Sequence, residues 1–433
     1  MVTVKGGEVR ELLHYTYLGV TLTTKLSFTE HLERKERQAF IAVIHSIWSE
    51  YLQRTILKTA LKIFEMRVAP TSTSTAFLMP ETIRWGIASA GKISNDFVTA
   101  LKTLPKSEHV VLAVGARNLN DAKEFATKHG IERAYGSYDD IYADSEIDII
   151  YVGTINTAHF SVVMKALEQK KNVVVEKPMA MDLKETELLI ACARNNKVFL
   201  MEGIWSRCHP AYEYIRSAVS AGEDGPLGEV VRVDACYGSN SRRDRVWKKE
   251  LGGSGVLDIG IYNIQLALMV LGRSASSGSS PNGDRSTLVP PTQVLSTGCL
   301  TSEDENGVDM ATSTILTFPG NKYASLTTDL RARLSNEAVI VGTKGCIRLH
   351  KPFHSPNQIT VNDEVKDFIP QDPLALQGSY NFTNGYFFRY EAQHVRQCLL
   401  NGLKESPLLP LDETLLIAKL MEDIRRAAGM KID

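Results

Sequence analysis

Hydrophobic and polar residues alternate with two different periods along the chain, and the change of period divides the chain into zones. In residues 81–203, short apolar runs rich in β-branched residues alternate with stretches that have helical spacing. The apolar runs lie at 83–88, 109–116, 147–153, 172–176 and 198–202. Strands and helices that alternate in this way are typical of a parallel, doubly wound sheet. We therefore predict an α/β protein with a Rossmann domain at 81–203.

The pattern changes after residue 203. Apolar and polar residues alternate one by one in several runs, as they do in antiparallel strands that expose one face. These runs lie at 230–238, 310–318, 323–330 and 338–342. The region 386–430 returns to helical spacing. The sequence therefore predicts a second α/β domain at 204–433, with a large and mostly antiparallel sheet.

Two segments fit neither domain. Residues 273–288 contain six serines in sixteen residues, which predicts a disordered loop at about 273–290. Residues 1–80 precede the Rossmann pattern and end in a small-polar linker at 70–80. Apolar residues at helical spacing between Phe40 and Leu52 predict a long amphipathic helix, so we expect this extension to be mostly helical.

The extension also resembles part of a transposable element. The stretch YLGVTLTTKLSFTEHLE and the later LKIFEMRVAPT are similar to the region that follows the polymerase domain of non-LTR retrotransposon reverse transcriptases, over residues 17–70. The ten Lys/Arg and seven Asp/Glu of residues 1–80 give a net charge of only +3, which is weak for a nucleic-acid surface. We interpret the extension as a catalytically silent captured fragment or fused gene model. The alternative is a helical module that binds a partner.

Composition and charge narrow the function classes. The 433 residues carry a formal net charge of −1, which gives no general attraction to nucleic acid or to an anionic membrane. The six cysteines form no CxxC pattern, which argues against a zinc site or a disulfide framework and suits a reducing compartment. No apolar run reaches the ~18–20 residues of a membrane helix. We expect a cytoplasmic protein without a metal, a nucleic-acid partner or a membrane.

A turn with small residues follows the first apolar run. Small residues fill the three glycine positions of a G-x-G-x-x-G pattern, and the middle position keeps a true glycine, Gly91. A pyrophosphate that approaches the amides of a helix N-terminus needs such small side chains. The turn comprises Ser89, Ala90, Gly91, Lys92, Ile93 and Ser94. It predicts a dinucleotide site, and the alternative is an ordinary strand–helix turn.

The end of the next apolar run indicates which dinucleotide binds. NAD-preferring sites usually place an acidic residue there, to hold the ribose hydroxyls. This run ends in Arg117 and has no acidic residue at that place. An arginine can pair with a 2′-phosphate, so we favour NADP over NAD as the cofactor. The alternative is a solvated surface arginine.

Three residues suit alcohol oxidation. Lys177 follows the run at 172–176, at the sheet edge where ligands of α/β proteins bind. Asp258 and Tyr262 are four residues apart in GGSGVLDIGIY and share one face of a helix that begins nearby. A neighbouring ammonium would lower the pKa of the tyrosine and so help it to accept the hydroxyl proton. Each residue also has an ordinary explanation as a solvated lysine, a helix cap or a packed tyrosine.

Several motifs together resemble one enzyme family. WGIASAGKIS, VGTINTAHF, VVVEKPMAMD, MEGIWSRCHP and GGSGVLDIGIY are similar to motifs of the glucose–fructose oxidoreductase, inositol dehydrogenase and MocA family, and the likeness runs in order from about residue 83 to the end. The resemblance implies a Rossmann domain, a second domain with a large sheet, and a homodimer. It also implies NADP-dependent oxidation of small diols or sugars, namely trans-dihydrodiols of aromatic hydrocarbons or D-xylose-type sugars.

The resemblance also implies roles for individual residues. Lys177 corresponds to the lysine of the family's EKP motif, and Tyr262 stands where the family has its acid–base residue. The proton acceptor is left open between these two. The remaining correspondences are Asp258 at the start of D-x-G-x-Y, Arg245 and Trp205 near the substrate, and Thr154, His159 and Glu176 near the cofactor.

One position departs from the pattern of the NADP-dependent members. These members often carry a second basic residue four positions after the first arginine, and this chain has Asp121 there. The departure weakens the expectation of NADP without reversing it. The other readings are a different NAD(P)-dependent sugar or polyol dehydrogenase of the same family, or a non-catalytic NADP-binding sensor.

Overall fold

The computed structural model describes residues 10–17, 20–27, 81–241, 243–274, 287–304 and 306–432. The chain divides into two compact units, Met1–Phe77 and Leu78–Asp433. In the first unit, β1 (Arg10–Tyr17) and β2 (Val20–Ser27) pair antiparallel, with Tyr17 opposite Val20. This hairpin is not among the elements expected for a mostly helical extension. The helix predicted between Phe40 and Leu52 lies outside the described residues.

The second unit begins with a six-stranded parallel sheet. The strands follow the order β5-β4-β3-β6-β7-β8 across the sheet, and the order reverses between β3 and β6. The strands are β3 (Ile83–Ala88), β4 (His109–Gly115), β5 (Arg133–Tyr135), β6 (Ile149–Val152), β7 (Asn172–Glu176) and β8 (Leu200–Gly203). The helices between them are α1 (Lys92–Leu101), α2 (Leu119–His129), α3 (Tyr138–Ala143), α4 (Asn156–Glu168) and α5 (Leu183–Asn196). The predicted Rossmann fold is confirmed, and its reversal point is where such sheets bind ligands.

Local sequence explains how these helices begin and end. The side chain of Asn118 accepts a hydrogen bond from the Asn120 amide and caps the start of α2, and Asp182 caps α5 through the Glu185 amide. Gly130 ends α2 with a left-handed φ of 63°, which glycine adopts without strain. Helix α1 differs because its N-cap, Gly91, supplies no side-chain hydrogen bond.

The rest of the unit contains an eight-stranded sheet. Its order is β12-β13-β14-β9-β15-β16-β17-β18, and only the β14–β9 pair is parallel. The strands are β9 (Val230–Gly238), β12 (Gln293–Leu300), β13 (Asp309–Phe318), β14 (Lys322–Asp329), β15 (Ala338–Gly342), β16 (Cys346–Leu349), β17 (Gln358–Val361) and β18 (Glu364–Asp367). The predicted second domain with a mostly antiparallel sheet is therefore confirmed.

Helices and a short hairpin accompany this sheet. The helices are α6 (Pro210–Ser220), α7 (Asp244–Trp247), α8 (Ile261–Leu271), α9 (Pro373–Leu376), α10 (Phe388–Leu400) and α11 (Leu411–Ala427). The short strands β10 (Arg273–Ser274) and β11 (Thr287–Leu288) pair at the two ends of the serine-rich segment, whose middle lies outside the described residues. Lys249–Leu271 is the one described stretch with the length and composition of a membrane span, and its apolar window is fully buried, as in a core helix.

A buried arginine joins the elements that carry the site. The guanidinium of Arg207, which is 0% exposed, donates to the Gln265 side chain at 2.5 Å and to the Gln265 carbonyl at 2.7 Å. It also pairs with the Glu413 carboxylate at 2.5 Å. Arg207 lies in the 3-10 turn after β8, Gln265 in α8 and Glu413 in α11. Because a buried charge that loses its partner is very costly, this cluster fixes the turn against both helices.

Candidate functional site

A cleft of about 510 Å³ opens at the reversal point of the parallel sheet. Its lining includes four of the six predicted turn residues, Ser89, Ala90, Gly91 and Lys92, together with Arg117. Ile93 and the other predicted cofactor residues are not in that lining. The remaining lining residues are Asn95, Ala116, Asp121, Glu124, Phe125, Lys128, Tyr138 and Asn381.

The turn after β3 fits the pyrophosphate of a dinucleotide. Helix α1 begins directly after Gly91 without a side-chain cap, so its first amides are left for an anion. Ser89 holds the first glycine position at a φ of 108°, a conformation that costs energy for a residue other than glycine. A Cβ added to Gly91 would come within 3.2 Å of the Ser89 hydroxyl. The turn is therefore closely packed, and small residues suit it.

Charges of both signs line the adenosine end of this cleft. Arg117 follows β4 and its side chain is exposed, as a group that receives a 2′-phosphate must be. Lys128 adds a second positive charge, whereas Asp121 and Glu124 add two negative ones. Asp121 lies in the first turn of α2, one turn beyond Arg117. The predicted departure from the NADP pattern is thus in the cleft itself.

Thr154 and His159 lie outside the lining of the cleft and contact each other. The fully buried His159 ring contacts the Pro178 carbonyl through Nδ1 at 2.7 Å and the Thr154 carbonyl through Nε2 at 3.2 Å. Burial lowers the pKa of His159 to about 4, so the ring is neutral near pH 7. These contacts connect the loop after β6 with the turn after β7. His159 therefore joins Thr154 to Pro178, the residue that follows Lys177.

Lys177, Asp258 and Arg245 form an ion cluster at the end of β7, in which Asp258 is buried and the two cations are partly exposed. Lys177 Nζ donates to the Asp258 carbonyl at 2.5 Å and lies 3.9 Å from Asp258 Oδ1. Arg245 reaches the same Oδ1 at 2.8 Å. Asp258 belongs to one π-helical turn, Val256–Gly260, that leads into α8. Lys177 and Asp258, two of the three residues that the sequence singled out for chemistry, are therefore in direct contact.

Tyr262 presents its ring, and not its hydroxyl, to the lysine. Lys177 Nζ lies 5.1 Å from the centroid of the Tyr262 ring, within the range of a cation–π contact. The Tyr262 hydroxyl accepts a hydrogen bond of 3.0 Å from the indole N–H of Trp205. Trp205, predicted near the substrate, is thus a direct neighbour of the candidate acid–base residue.

The predicted direction of the tyrosine pKa shift was wrong. Burial, followed by the negative charge of Glu176, raises the pKa of Tyr262 well above its ordinary value. Burial also lowers the pKa of Lys177 below its ordinary value, and Arg245 adds to this. Desolvation disfavours the charged form of either residue, and here it outweighs the attraction that the sequence argument assumed.

The pKa values of the two carboxylates of the site are shifted in opposite directions. Burial opposes ionisation of Asp258, but the positive charges of Lys177 and Arg245 outweigh it and lower the pKa of Asp258. Glu176 is buried beside Tyr151, whose hydroxyl donates to Glu176 Oε1 at 2.6 Å. Burial raises the pKa of Glu176 to about 7. Asp258 is therefore the permanent anion of the site.

Sequence reasoning missed two residues of the same site, His354 and Tyr237. The ring of His354 lies 4.6 Å from that of Tyr262 and 4.8 Å from that of Tyr237. Burial, followed by the charge of Lys177, lowers the pKa of His354 to about 3. His354 Nδ1 is buried and has no hydrogen-bond partner among the described residues. Neither residue stands in a motif of its own, so only the fold reveals them.

The structure describes no group of three or more His, Cys, Asp or Glu residues placed to hold a metal ion. All six cysteines lie in the described part of the chain and are free.

Comparison with protein families matches both domains. Residues 83–204 match the description "Oxidoreductase family, NAD-binding Rossmann fold", and residues 214–348 match "GFO/IDH/MocA C-terminal domain". A curated relative from Xenopus tropicalis, trans-1,2-dihydrobenzene-1,2-diol dehydrogenase, is 43% identical over 349 residues, which are 80% of this chain and 98% of the relative. The Homo sapiens protein of that name is 39% identical over 349 residues, 80% of this chain and 97% of the relative.

Solved structures share the fold at lower identity. An aldose-aldose oxidoreductase from Caulobacter crescentus, complexed with glycerol, is 22% identical with a TM-score of 0.64. A 3-ketoreductase from Actinomadura kijaniata, in complex with NADP and TDP-benzene, is 22% identical with a TM-score of 0.62. Each similarity covers 80% of this chain and 98% of the other.

Proposed function

The chain belongs to the GFO/IDH/MocA oxidoreductase family, and we propose that it oxidises trans-dihydrodiols of aromatic hydrocarbons, or sugars of the D-xylose type, with NADP+. The observation that carries this proposal is the buried cluster of Lys177, Asp258 and Tyr262 at the carboxyl edge of a dinucleotide-binding sheet. The identity to relatives named trans-1,2-dihydrobenzene-1,2-diol dehydrogenase supports the dihydrodiol as substrate.

The cofactor would be held at two points of the cleft. The uncapped amides at the start of α1 suit the pyrophosphate, and Arg117 suits the 2′-phosphate that distinguishes NADP from NAD. When bound, NADP+ supplies the acceptor for the hydride. The protein itself must then bind the alcohol, orient it and take its hydroxyl proton.

We assign the proton to Lys177 and not to Tyr262. The same burial lowers the pKa of the lysine and raises that of the tyrosine, so the neutral amine is the more accessible base. Tyr262 then acts as a neutral phenol that donates a hydrogen bond to the substrate oxygen. Asp258 holds Lys177 and Arg245 in place through its carbonyl and its carboxylate.

Aromatic rings suit a flat substrate. Trp205, Tyr237 and His354 surround Tyr262, and the Trp205 ring stacks on Phe388 with centroids 4.3 Å apart. A ring of carbon atoms with two hydroxyls, as in a dihydrodiol, can pack on such a wall and still reach Lys177. A sugar pyranose has a similar shape, so D-xylose-type sugars remain the second substrate class.

The assembly and location belong to the same proposal. We propose a homodimer that forms through the open face of the eight-stranded sheet. Alternate side chains of its edge strand β12 are exposed, and Leu295 among them is 53% exposed. The free cysteines suit a reducing compartment, and we propose the cytoplasm. Light scattering of the purified protein measures the mass, and a monomer at micromolar concentration would contradict the dimer.

Absorbance of reduced nicotinamide tests the activity. The purified chain is incubated with NADP+ or NAD+ and with benzene dihydrodiol, naphthalene dihydrodiol, D-xylose, D-glucose and glycerol. We expect turnover with NADP+ and a dihydrodiol, and its loss in Lys177→Met. Turnover of other polyols alone would favour the alternative dehydrogenase. Cofactor binding without turnover of any alcohol would favour the sensor.

A further inference from the structure

A segment of the second domain reaches into the dinucleotide cleft. Residues 377–384 precede α10, and one of them, Asn381, is exposed and belongs to the lining of the cleft. We infer that Asn381 binds the adenosine half of the dinucleotide, and that Asp96 is the positioning residue that holds it in the cleft. This inference rests on the proposed function only for the nature of the ligand.

Asp96 fastens the segment to the first helix of the Rossmann domain. Its carboxylate lies in α1 and is 0% exposed. Both of its oxygens accept the Asn381 amide at 2.9 Å, and Oδ2 also accepts the Phe382 amide at 2.8 Å. Asn95 Nδ2 donates to Oδ1 at 3.0 Å. A buried carboxylate satisfied by backbone amides from a segment 285 residues away fixes the position of that segment.

The same contacts orient the side chain of Asn381. Its Nδ2 donates to Asp96 Oδ1 at 2.7 Å and to the Lys92 carbonyl at 3.2 Å, so both amide hydrogens are used. The Oδ1 atom is then the free group, because none of the described residues donates a hydrogen bond to it. An amide whose nitrogen faces two acceptors cannot be flipped without losing both contacts.

The free atom determines the kind of ligand group that Asn381 can bind. A carbonyl oxygen accepts hydrogen bonds and repels the oxygens of a phosphate, so Asn381 suits a ribose hydroxyl or the exocyclic amine of adenine. Its position agrees with this, because Lys92 begins α1 beside it and Arg117 lines the same cleft at the end of β4. The second domain thus contributes an acceptor to a cleft whose phosphate-binding groups come from the Rossmann domain.

Binding without catalysis gives the direct test. Fluorescence of NADPH measures its dissociation constant in the absence of any alcohol, and competition measures that of 2′,5′-ADP, which lacks the nicotinamide half. We expect Asn381→Ala to weaken the binding of both ligands about fivefold, the size of one neutral hydrogen bond. Thr383→Ala, an exposed change in the same segment but outside the lining, is the matched control and leaves both constants unchanged.

A double-mutant cycle separates positioning from a general loss of stability. Asp96→Asn removes an acceptor from the two backbone amides and should weaken NADPH about tenfold in the wild-type background. In the Asn381→Ala background, Asp96→Asn should weaken NADPH binding much less, because the side chain that Asp96 positions is already absent. If the two substitutions weaken NADPH binding by factors that simply multiply in the double variant, Asp96 is rejected as the positioning residue.

The outcomes for this inference and for the proposed function differ. Wild-type affinity for NADPH and 2′,5′-ADP in Asn381→Ala overturns the inference even if the enzyme oxidises dihydrodiols. Conversely, weaker binding in that variant supports the inference even if no alcohol on the panel is turned over. A wild-type protein that binds neither NADPH nor 2′,5′-ADP overturns both the inference and the proposed function.

Discussion

Replacing Tyr262 by phenylalanine distinguishes the two candidate proton acceptors. The change removes only the hydroxyl, so the ring keeps its contacts with His354 at 4.6 Å and with Lys177 at 5.1 Å. The indole N–H of Trp205, which donates to that hydroxyl at 3.0 Å, loses its acceptor in a buried site. An unsatisfied buried donor costs about 1–3 kcal/mol of the free energy of unfolding. We therefore expect a folded enzyme that melts a few degrees lower.

The catalytic loss in this variant depends on the role of the hydroxyl. If Tyr262 donates one hydrogen bond to an oxygen that becomes negatively charged, its removal costs about 1.5–3 kcal/mol, or about 10–150-fold in kcat. If Tyr262 accepts the proton, the loss is about 10²–10⁴-fold and the ionisation that governs the rate disappears as well. The magnitudes overlap, so the rate at a single pH does not separate the roles.

The pH dependence of the rate separates them. Oxidation needs the unprotonated acceptor, so the rate rises with pH until the acceptor is neutral and then levels off. Burial lowers the pKa of Lys177, which moves this rise below the ordinary range of lysine. We expect Tyr262→Phe to keep the rise and Lys177→Met to lose it, with kcat measured across the pH range where the protein stays folded. A rise that survives in Lys177→Met but vanishes in Tyr262→Phe would refute the assignment.

Three further predictions concern specificity and domain organisation. Asp121→Arg replaces a negative charge in the cleft by a second partner for the 2′-phosphate, so KM for NADP+ should fall about five- to tenfold; an equal fall for NAD+ would contradict this. Residues 81–433 expressed alone should retain kcat and KM, since they form a compact unit apart from the extension; a large loss of activity would show that the extension takes part. His354→Phe keeps an aromatic ring beside Tyr262 but removes the imidazole nitrogens, so kcat/KM for dihydrodiols should rise several-fold relative to D-xylose; the opposite order would show that the imidazole serves the diol.

The parallel sheet could be predicted from sequence because its strands are buried on both faces. Such strands read as continuous apolar runs, and the expected run 83–88 corresponds to Ile83–Ala88, as 172–176 does to Asn172–Glu176. The β1–β2 hairpin was not anticipated, because the helical spacing that suggested a helical extension comes from a later stretch. Strand pairing joins residues through a register that periodicity alone does not specify.

The candidate site could be predicted only where its residues stand in local patterns. Lys177 directly follows a strand, and Asp258 and Tyr262 are four residues apart, so their spacing in the sequence indicated all three. His354 belongs to none of the motifs named above and comes to Tyr262 only through the packing of the loop after β16. Asn381 meets the cleft through Asp96. Such contacts depend on tertiary structure, which a single sequence shows only indirectly.

The wrong sign for the tyrosine pKa has a physical cause that also strengthens the assignment of the base. From the sequence, we expected Lys177 and Tyr262 to form a charge pair, in which an ammonium favours phenolate. In the fold both are buried, and the ammonium is bonded to the Asp258 carbonyl instead of the phenol. Desolvation therefore raises the pKa of Tyr262 and lowers that of Lys177, so the phenol keeps its proton and the lysine gives up its own more readily. That is the pair needed to donate a hydrogen bond to an alcohol and to accept its proton, so one property of the site, burial, prepares both residues.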